Sequence, residues 1–261
     1  MVSKRRALGQ HFLRDPAIAR AIVDVVAPTA SDRVVEIGPG EGALTGELAR
    51  RAGHVVAIEV DHELAARVRA RFPGVEVVEA DARTWDYATL EAAPGGRVLV
   101  VGNLPYSVSK PIVMSLVTAR AAVDEMALML QREVAERLAA SPGNKTYGSL
   151  SVFTQLACEV RIALRVPPGA FRPPPKVESA VVHLVVQRAP RVRIEDEHRF
   201  HVVVRAAFAH RRKTLGNALA RTLGLPVERV RAAAEAADID PGRRAETLDL
   251  AEFARLAARL A

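Results

Sequence analysis

Two hydrophobic periods alternate along the first half of the chain. Short β-branched runs at Arg33–Ile37, His54–Glu59, Val75–Glu79 and Arg97–Gly102 each stop at a glycine, an acid or a loop, which predicts strands. Between them, Gly42–Arg51 and Asp61–Phe72 have helical spacing; in the second, Leu64, Val68 and Phe72 recur at i, i+4 and i+8. An amphipathic helix over Asp15–Ala27 precedes the first strand, with Asp15 as N-cap and Pro16 at the first helical position. Such alternation predicts an α/β fold built on a parallel sheet covered on both faces.

The pattern continues with a helix near Lys110–Ala119, a strand near Asp124–Leu130 and helices near Arg132–Ala140 and Gly148–Leu156. Strands near Glu159–Val166 and Ala180–Gln187 flank the loop Pro167–Glu178. That loop holds Pro167-Pro168 and Pro173-Pro174-Pro175, so it lacks several N–H donors and cannot join a central ladder. Beyond Ala189-Pro190 the strand signals vanish, and helical segments follow at Glu197–Ala209, Thr214–Leu223, Val227–Ala236 and Leu250–Leu260. The expected division is therefore a sheet domain over residues 1–189 and a small all-α domain over 190–261.

Composition sets the outer limits. The chain has 261 residues, 49% hydrophobic and 26% charged, which fits a globular protein and excludes long disorder and a disulfide-stapled miniprotein. Cys158, the single cysteine, excludes an intramolecular disulfide and a Cys-based zinc site; its apolar neighbours mark it as a small buried hydrophobe. No apolar stretch reaches the ~18–20 residues of a membrane span, and the basic start runs into Gln10, His11, Arg14 and Asp15 where a signal peptide needs an apolar core. A cytoplasmic protein is expected. The net charge of +7 points weakly to a polyanionic partner, and 32 of the 37 basic residues are Arg, as an Arg-rich genome would also give. Residues 190–261 carry +4 of that charge on about a quarter of the chain.

Candidate chemistry begins after the first strand, in Val35-Glu36-Ile37-Gly38-Pro39-Gly40-Glu41-Gly42. Glycines at 38, 40 and 42 allow a tight turn and close approach to a ligand, although a purely structural strand–helix turn also fits. The spacing is one residue shorter than the dinucleotide fingerprint, and Glu36 and Glu41 would repel a pyrophosphate, which disfavours a nicotinamide-dependent dehydrogenase. A cationic ligand suits it better. Glu59 ends the second strand, where a carboxylate can accept ribose hydroxyls, and Asp81, followed by Ala82, ends the third and can accept from an adenine amine. Acids at three successive strand ends imply a ligand with an adenine, a free ribose and no phosphate, which describes S-adenosyl-L-methionine.

The fourth strand ends in Asn103-Leu104-Pro105-Tyr106. An exocyclic adenine amine is a poor nucleophile because its lone pair is delocalised into the ring. Two acceptors on its N–H groups, the Asn103 side-chain oxygen and the Leu104 carbonyl, favour a pyramidal nitrogen. Pro105 fixes the turn, and Tyr106 offers a stacking face worth ~1–3 kcal/mol. The base must be splayed or flipped to reach it. Phe171 is a candidate to close the other side of the base, with a core or loop-packing aromatic as its competing role. His198 and His201 are i, i+3 on a helix, which marks a solvated face with one half-buried ring; no metal site is expected.

Taken together, these residues closely resemble the ribosomal RNA adenine dimethyltransferases of the KsgA/RsmA type over essentially the whole length. The shared segments include Leu8-Gly9-Gln10-His11-Phe12-Leu13, Glu36–Gly42, Asn103–Tyr106 and Met129-Leu130-Gln131-Arg132-Glu133-Val134-Ala135. They extend through Phe171-Arg172-Pro173-Pro174-Pro175-Lys176-Val177-Glu178-Ser179 to Arg211-Arg212-Lys213-Thr214-Leu215. The resemblance implies a Rossmann-like, S-adenosylmethionine-dependent methyltransferase sheet with one antiparallel strand and a helical C-terminal domain. It also implies cofactor contacts from His11, Leu13, Gly38, Gly40, Glu59, Asp81, Ala82 and Asn103. Ser107 stands where many members carry Asn.

The implied reaction is N6,N6-dimethylation of two adjacent adenosines in the 3′-terminal hairpin loop of 16S rRNA, on the immature small ribosomal subunit; the sequence leaves the oligomeric state undetermined, with a monomer as the default expectation. Arg211, Arg212 and Lys213 are expected to take up RNA phosphates, joined by Lys4, Arg5, Arg6, Lys145 and Lys176; a solvated charge run is the alternative. Two other functions stay open. One is the sibling class that methylates a 23S rRNA adenosine and confers antibiotic resistance; the other is an assembly checkpoint factor in which methylation only triggers release.

Overall fold

The computed structural model describes residues 11–189 and 191–260. Helix α1 (Pro16–Val26) begins where expected: the Asp15 carboxylate accepts from the N–H groups of Ala17 at 2.8 Å and Ile18 at 3.3 Å. Its apolar stripe, Ala19, Ile22, Val23 and Val26, is buried against sheet residues Val34, Leu99, Val101, Ala127 and Met129.

A two-residue strand, β1 (Phe12–Leu13), precedes α1. The main sheet is built from β2 (Arg33–Ile37), β3 (His54–Glu59), β4 (Glu76–Glu79), β5 (Val98–Asn103), β6 (Glu125–Gln131), β7 (Cys158–Val166) and β9 (Ser179–Val186), in the order β4-β3-β2-β5-β6-β9-β7. All neighbours are parallel except β9, which runs antiparallel to both β6 and β7. This is the expected methyltransferase sheet with its single reversed strand. The proline-rich loop stays out of it; its strand β8 (Phe171–Arg172) pairs with β1 in a separate two-stranded sheet.

Helices α2 (Thr45–Ala49), α3 (His62–Arg71) and α4 (Ser109–Thr118) occupy the crossovers. The first is shorter than its sequence pattern, because the glycine loop extends as turns to Leu44. Glycine is required at 102 for a packing reason. Its Cβ would lie 2.8 Å from the Ile37 carbonyl on the paired strand, so β2 and β5 approach closely beside the site.

Beyond the sheet come α5 (Arg132–Leu138), α6 (Ser149–Ala157), α7 (Glu197–Phe208), α8 (Leu215–Leu223), α9 (Val227–Ala236) and α10 (Leu250–Arg259). The chain divides into two compact units: residues up to Ala135 with Cys158–Arg188, and Glu136–Ala157 with the residues from Ala189 onward. The second crossing falls beside the expected boundary, but residues 136–157 depart from the 1–189 assignment. Helix α6 carries a buried face of Val152, Phe153 and Leu156. Phe153 meets the His201 ring of α7 at 4.5 Å, and the Arg205 guanidinium lies 5.8 Å over it. The first crossing leaves no proline or glycine signal because it lies inside α5.

Candidate active site

Chain order in the sheet reverses between β2 and β5, and in open parallel sheets ligands bind beyond the strand ends at such a point. A pocket opens there, entirely within the first unit, and every residue expected to touch cofactor lines it: His11, Leu13, Gly38, Gly40, Glu59, Asp81, Ala82 and Asn103. Leu104, Pro105 and Tyr106 line its far end.

The glycine loop is shaped by backbone geometry. Gly38 and Gly40 have φ of 65° and 56°, in the left-handed region that side chains disfavour. The Gly38 N–H donates to the Ile58 carbonyl at 2.9 Å, locking the loop to β3. A Cβ on Gly40 would sit 3.0 Å from the Phe12 ring, so glycine at 40 also makes room for that aromatic.

The three strand-end acids have three different environments. Glu36 is 1% exposed, and its Oε2 has no hydrogen-bond partner. Burial pushes its carboxyl up to about 7, and the Glu59 charge adds to the shift. Glu59 is also buried; it accepts from Gly40 N–H at 3.2 Å, Val60 N–H at 2.9 Å and Asp61 N–H at 3.0 Å. Burial raises it too, opposed by those donors. Asp81 behaves differently. The Arg83 guanidinium grips it, with Nε 3.0 Å from Oδ1 and 2.9 Å from Oδ2 and Nη2 on Oδ2. That ion pair holds the Asp81 carboxyl below the usual range, against an opposing effect of burial.

At the far end, Asn103 Nδ2 donates to the His11 carbonyl at 2.8 Å, which leaves Oδ1 as the free acceptor of the amide. The Leu104 N–H is committed to the Met129 carbonyl at 3.1 Å. The Tyr106 hydroxyl is fixed by the buried Ser179 Oγ at 2.6 Å, and burial raises its phenol pKa. His11 packs on Tyr106 with ring centroids 5.5 Å apart, and its Nδ1–H donates to the Pro173 carbonyl at 2.7 Å.

Phe171 does not line the pocket. It is 5% exposed and belongs to the core cluster with Leu13, Ala170 and Val181. Pairing of β8 with β1 sets Phe171 opposite Leu13 and buries both, so its ring offers no face to a base. Sequence reasoning missed several residues of the site, among them Phe12, Val60, Arg83 and Ser179. Val60 had a legible signal, an apolar residue directly after the strand-end acid; it is 58% exposed at the pocket, where a flat ring would cover it. The other three depend on contacts distant in sequence or on side-chain conformation.

In the second unit, Arg211, Arg212 and Lys213 are exposed, but Arg211 bonds to the Tyr147 carbonyl and lies 5.9 Å over Phe208. It therefore anchors the turn as well as presenting charge. Lys145 and Lys176 are exposed, as is Ser107; Lys4, Arg5 and Arg6 lie outside the described residues. Cys158 is fully buried, and burial pushes its thiol up to about 12. Among the described residues, no group of three His, Cys, Asp or Glu side chains could hold a metal ion, and no helix is long and apolar enough to cross a membrane.

The pocket suits an adenosyl sulfonium. Its orphaned Glu36 oxygen suits a cationic or donor group, the Glu59 carboxylate can accept from hydroxyls, and exposed Val60 with Ala82 presents apolar surface to a flat ring. Relatives agree with this chemistry. The chain is 48% identical to "Ribosomal RNA small subunit methyltransferase A" of Magnetococcus marinus, over 98% of this chain and 91% of that one. The same description holds for a Geobacter metallireducens protein at 46% identity, over 98% of this chain and 94% of the other. Among solved structures, a dimethyladenosine transferase from Plasmodium falciparum matches with a TM-score of 0.80 at 27% identity, covering 94% of this chain and 96% of that one. The 23S rRNA methyltransferase ErmE matches with a TM-score of 0.72 at 29% identity, covering 95% and 99%. The family model described as "Ribosomal RNA adenine dimethylase" matches residues 1–261. With that match over its full length, the chain belongs to the ribosomal RNA adenine dimethylases, S-adenosylmethionine-dependent methyltransferases that act on ribosomal RNA.

Proposed function

We propose that the protein dimethylates N6 of two adjacent adenosines in the 3′-terminal hairpin loop of 16S rRNA, acting as a cytoplasmic monomer on the immature small ribosomal subunit. The observation that carries this reading is one pocket whose near end bears Glu36, Glu59 and Asp81 and whose far end bears Asn103–Tyr106. Bound S-adenosylmethionine supplies an electrophilic methyl on a sulfonium. Asn103 Oδ1 and the Leu104 carbonyl accept the two N–H bonds of the target amine and localise its lone pair. Tyr106, fixed by Ser179, carries the flipped base on its face. Because the His11 carbonyl fixes the Asn103 amide, the acceptor is set before the base arrives. No strong general base is needed, since the nitrogen becomes acidic as its bond to the methyl forms. Exposed Arg212 and Lys213, with Arg211 and Lys176, take up phosphates and position the RNA.

Similarity to a 23S rRNA methyltransferase structure means the pocket alone does not choose the RNA. Relatives at 46–48% identity described as small-subunit enzymes support the 16S reading. Incubation with radiolabelled cofactor should place label on adenine amines of unmethylated small subunits. Label on naked 23S rRNA, with none on small subunits, would overturn the assignment.

Glu36 gives this cofactor reading a pH signature. A carboxyl titrating at about 7 is largely protonated at pH 6, and a sulfonium ligand favours its ionised form. Cofactor affinity should therefore fall as pH drops from 8 to 6, by at most about tenfold from this group. Calorimetry with Glu36→Gln as reference cancels the ligand's own titration. An identical pH slope in both proteins would exclude Glu36 as the linked group.

A further inference from the structure

We propose that Arg83 is a positioning residue for the cofactor's adenine, acting by holding Asp81 so that one acceptor site faces the 6-amino group. The inference rests on the cofactor reading above and adds a residue to which no role has yet been given. Arg83 follows Asp81 by two residues, and both line the adenine end of the pocket. Its backbone N–H donates to Asp81 Oδ1 at 2.9 Å, its Nε bridges both oxygens, and its Nη2 bonds Oδ2.

A carboxylate offers about four acceptor sites. Three N–H groups of Arg83 share them, the backbone N–H on Oδ1, Nε–H divided between Oδ1 and Oδ2, and Nη2–H on Oδ2, so roughly one site remains, enough for a single N–H of an adenine amine. The pair thus does not need to open when the adenine binds. The guanidinium turns a rotatable acceptor into one that is ionised and fixed in direction. A 6-oxo purine turns an acceptor oxygen toward that carboxylate in place of the donor and loses this bond.

The backbone beneath this pair is fixed independently. The Asp81 carbonyl accepts from Thr84 N–H at 3.0 Å and Trp85 N–H at 3.0 Å. The buried Tyr87 hydroxyl donates to the Ala82 carbonyl at 2.8 Å, and Trp85 packs edge-on against Tyr87 at 5.0 Å. Loss of the Arg83 side chain should leave that turn intact. Its side chain is about half exposed, so the effect is expected in binding rather than in folding.

Calorimetric binding of S-adenosylhomocysteine and its 6-oxo (inosyl) analogue, with steady-state kinetics, tests the proposal on the full chain. Arg83→Ala should weaken S-adenosylhomocysteine binding by about three- to tenfold, the scale of one immobilised side chain. It should raise KM for S-adenosylmethionine by a similar factor, leave kcat within twofold, and narrow discrimination against the 6-oxo analogue. Arg83→Lys, which keeps the charge and loses the fork, should restore only part of the affinity. In the background of Asp81→Asn, Arg83→Ala should have little further effect. Unchanged affinity and discrimination in Arg83→Ala, or full additivity with Asp81→Asn, would overturn the proposal. Failure of the unmodified protein to bind S-adenosylhomocysteine would instead strike the cofactor reading itself.

Discussion

Replacing Asn103 by Ala should lower kcat by about a hundredfold or more, with cofactor affinity changed much less. Removing one preorganised polar group aimed at the reacting atom of an enzyme costs on the order of 10²–10³ in rate. In the proposed reaction the lost group is the Oδ1 acceptor of the target amine. The geometry also separates the two ends of the amide, because Nδ2 is spent on the His11 carbonyl. Asn103→Asp keeps an acceptor but loses the donor to His11, so it should retain more activity than Ala while loosening the segment around His11. Single-turnover methylation of small subunits measures both variants. Asn103→Ala turning over at the unmodified rate would remove Asn103 from the chemistry. The fold should survive: Asn103 is the last residue of β5 and only partly buried, so a melting temperature within a few degrees is expected.

The largest expected effect on stability lies at the opposite end of the sheet. Arg97 bonds Asp32 through Nη2 at 2.9 Å and Glu125 through Nη1 at 2.9 Å, and donates to the Val26 and Ala27 carbonyls at the end of α1. Glu125 in turn bonds the buried His183 at 2.9 Å. One guanidinium therefore joins α1, β2, β5, β6 and β9. Burial alone would raise the Asp32 carboxyl, but the guanidinium and the N–H groups of Thr29 and Arg97 hold it at about 2.

Breaking a buried ion pair by removing one partner costs about 3–5 kcal/mol. The Arg97 side chain is 35% exposed, which screens part of this, so Arg97→Ala should cost about 2–4 kcal/mol. The melting temperature should drop by about 5–15 °C. A pH dependence follows with a definite sign. Asp32 titrates below its ordinary 3.8, so it contributes stability above about pH 4 that is lost as pH falls toward 2, about 2 kcal/mol in all. Arg97→Ala should shrink that contribution and move its loss to higher pH. Acid denaturation followed by circular dichroism measures this; superimposable acid transitions would show that Arg97 does not hold Asp32. Methyl transfer by the folded variant should be little changed, since the network and the pocket share no residue.

Much of this site is legible in the amino-acid sequence alone. Strand periodicity places Glu36, Glu59, Asp81 and Asn103 at successive strand ends, and in a parallel sheet one-directional strands deliver all such ends to one crevice. Local patterns and a topology rule suffice for that. The same holds for α1, whose cap and apolar stripe are sequence-local. The acidic glycine loop and the basic Arg211–Lys213 segment are likewise plain in the sequence, as local contributions of opposite sign to the +7 charge.

What the sequence could not decide was where long-range contacts send a side chain. Phe171 has the composition of a stacking residue, yet antiparallel pairing with β1 turns it into the core. Asn103 takes its orientation from His11, 92 residues earlier, and Tyr106 from Ser179, 73 residues later. The second unit recruits residues 136–157 because an apolar helix face must be buried, and no linker composition announces that choice. Sequence by itself determined which chemical groups this protein has and at which strand ends they stand. Tertiary structure decided which of them are free to act, because hydrogen bonds and burial between distant segments are satisfied only once the chain has folded.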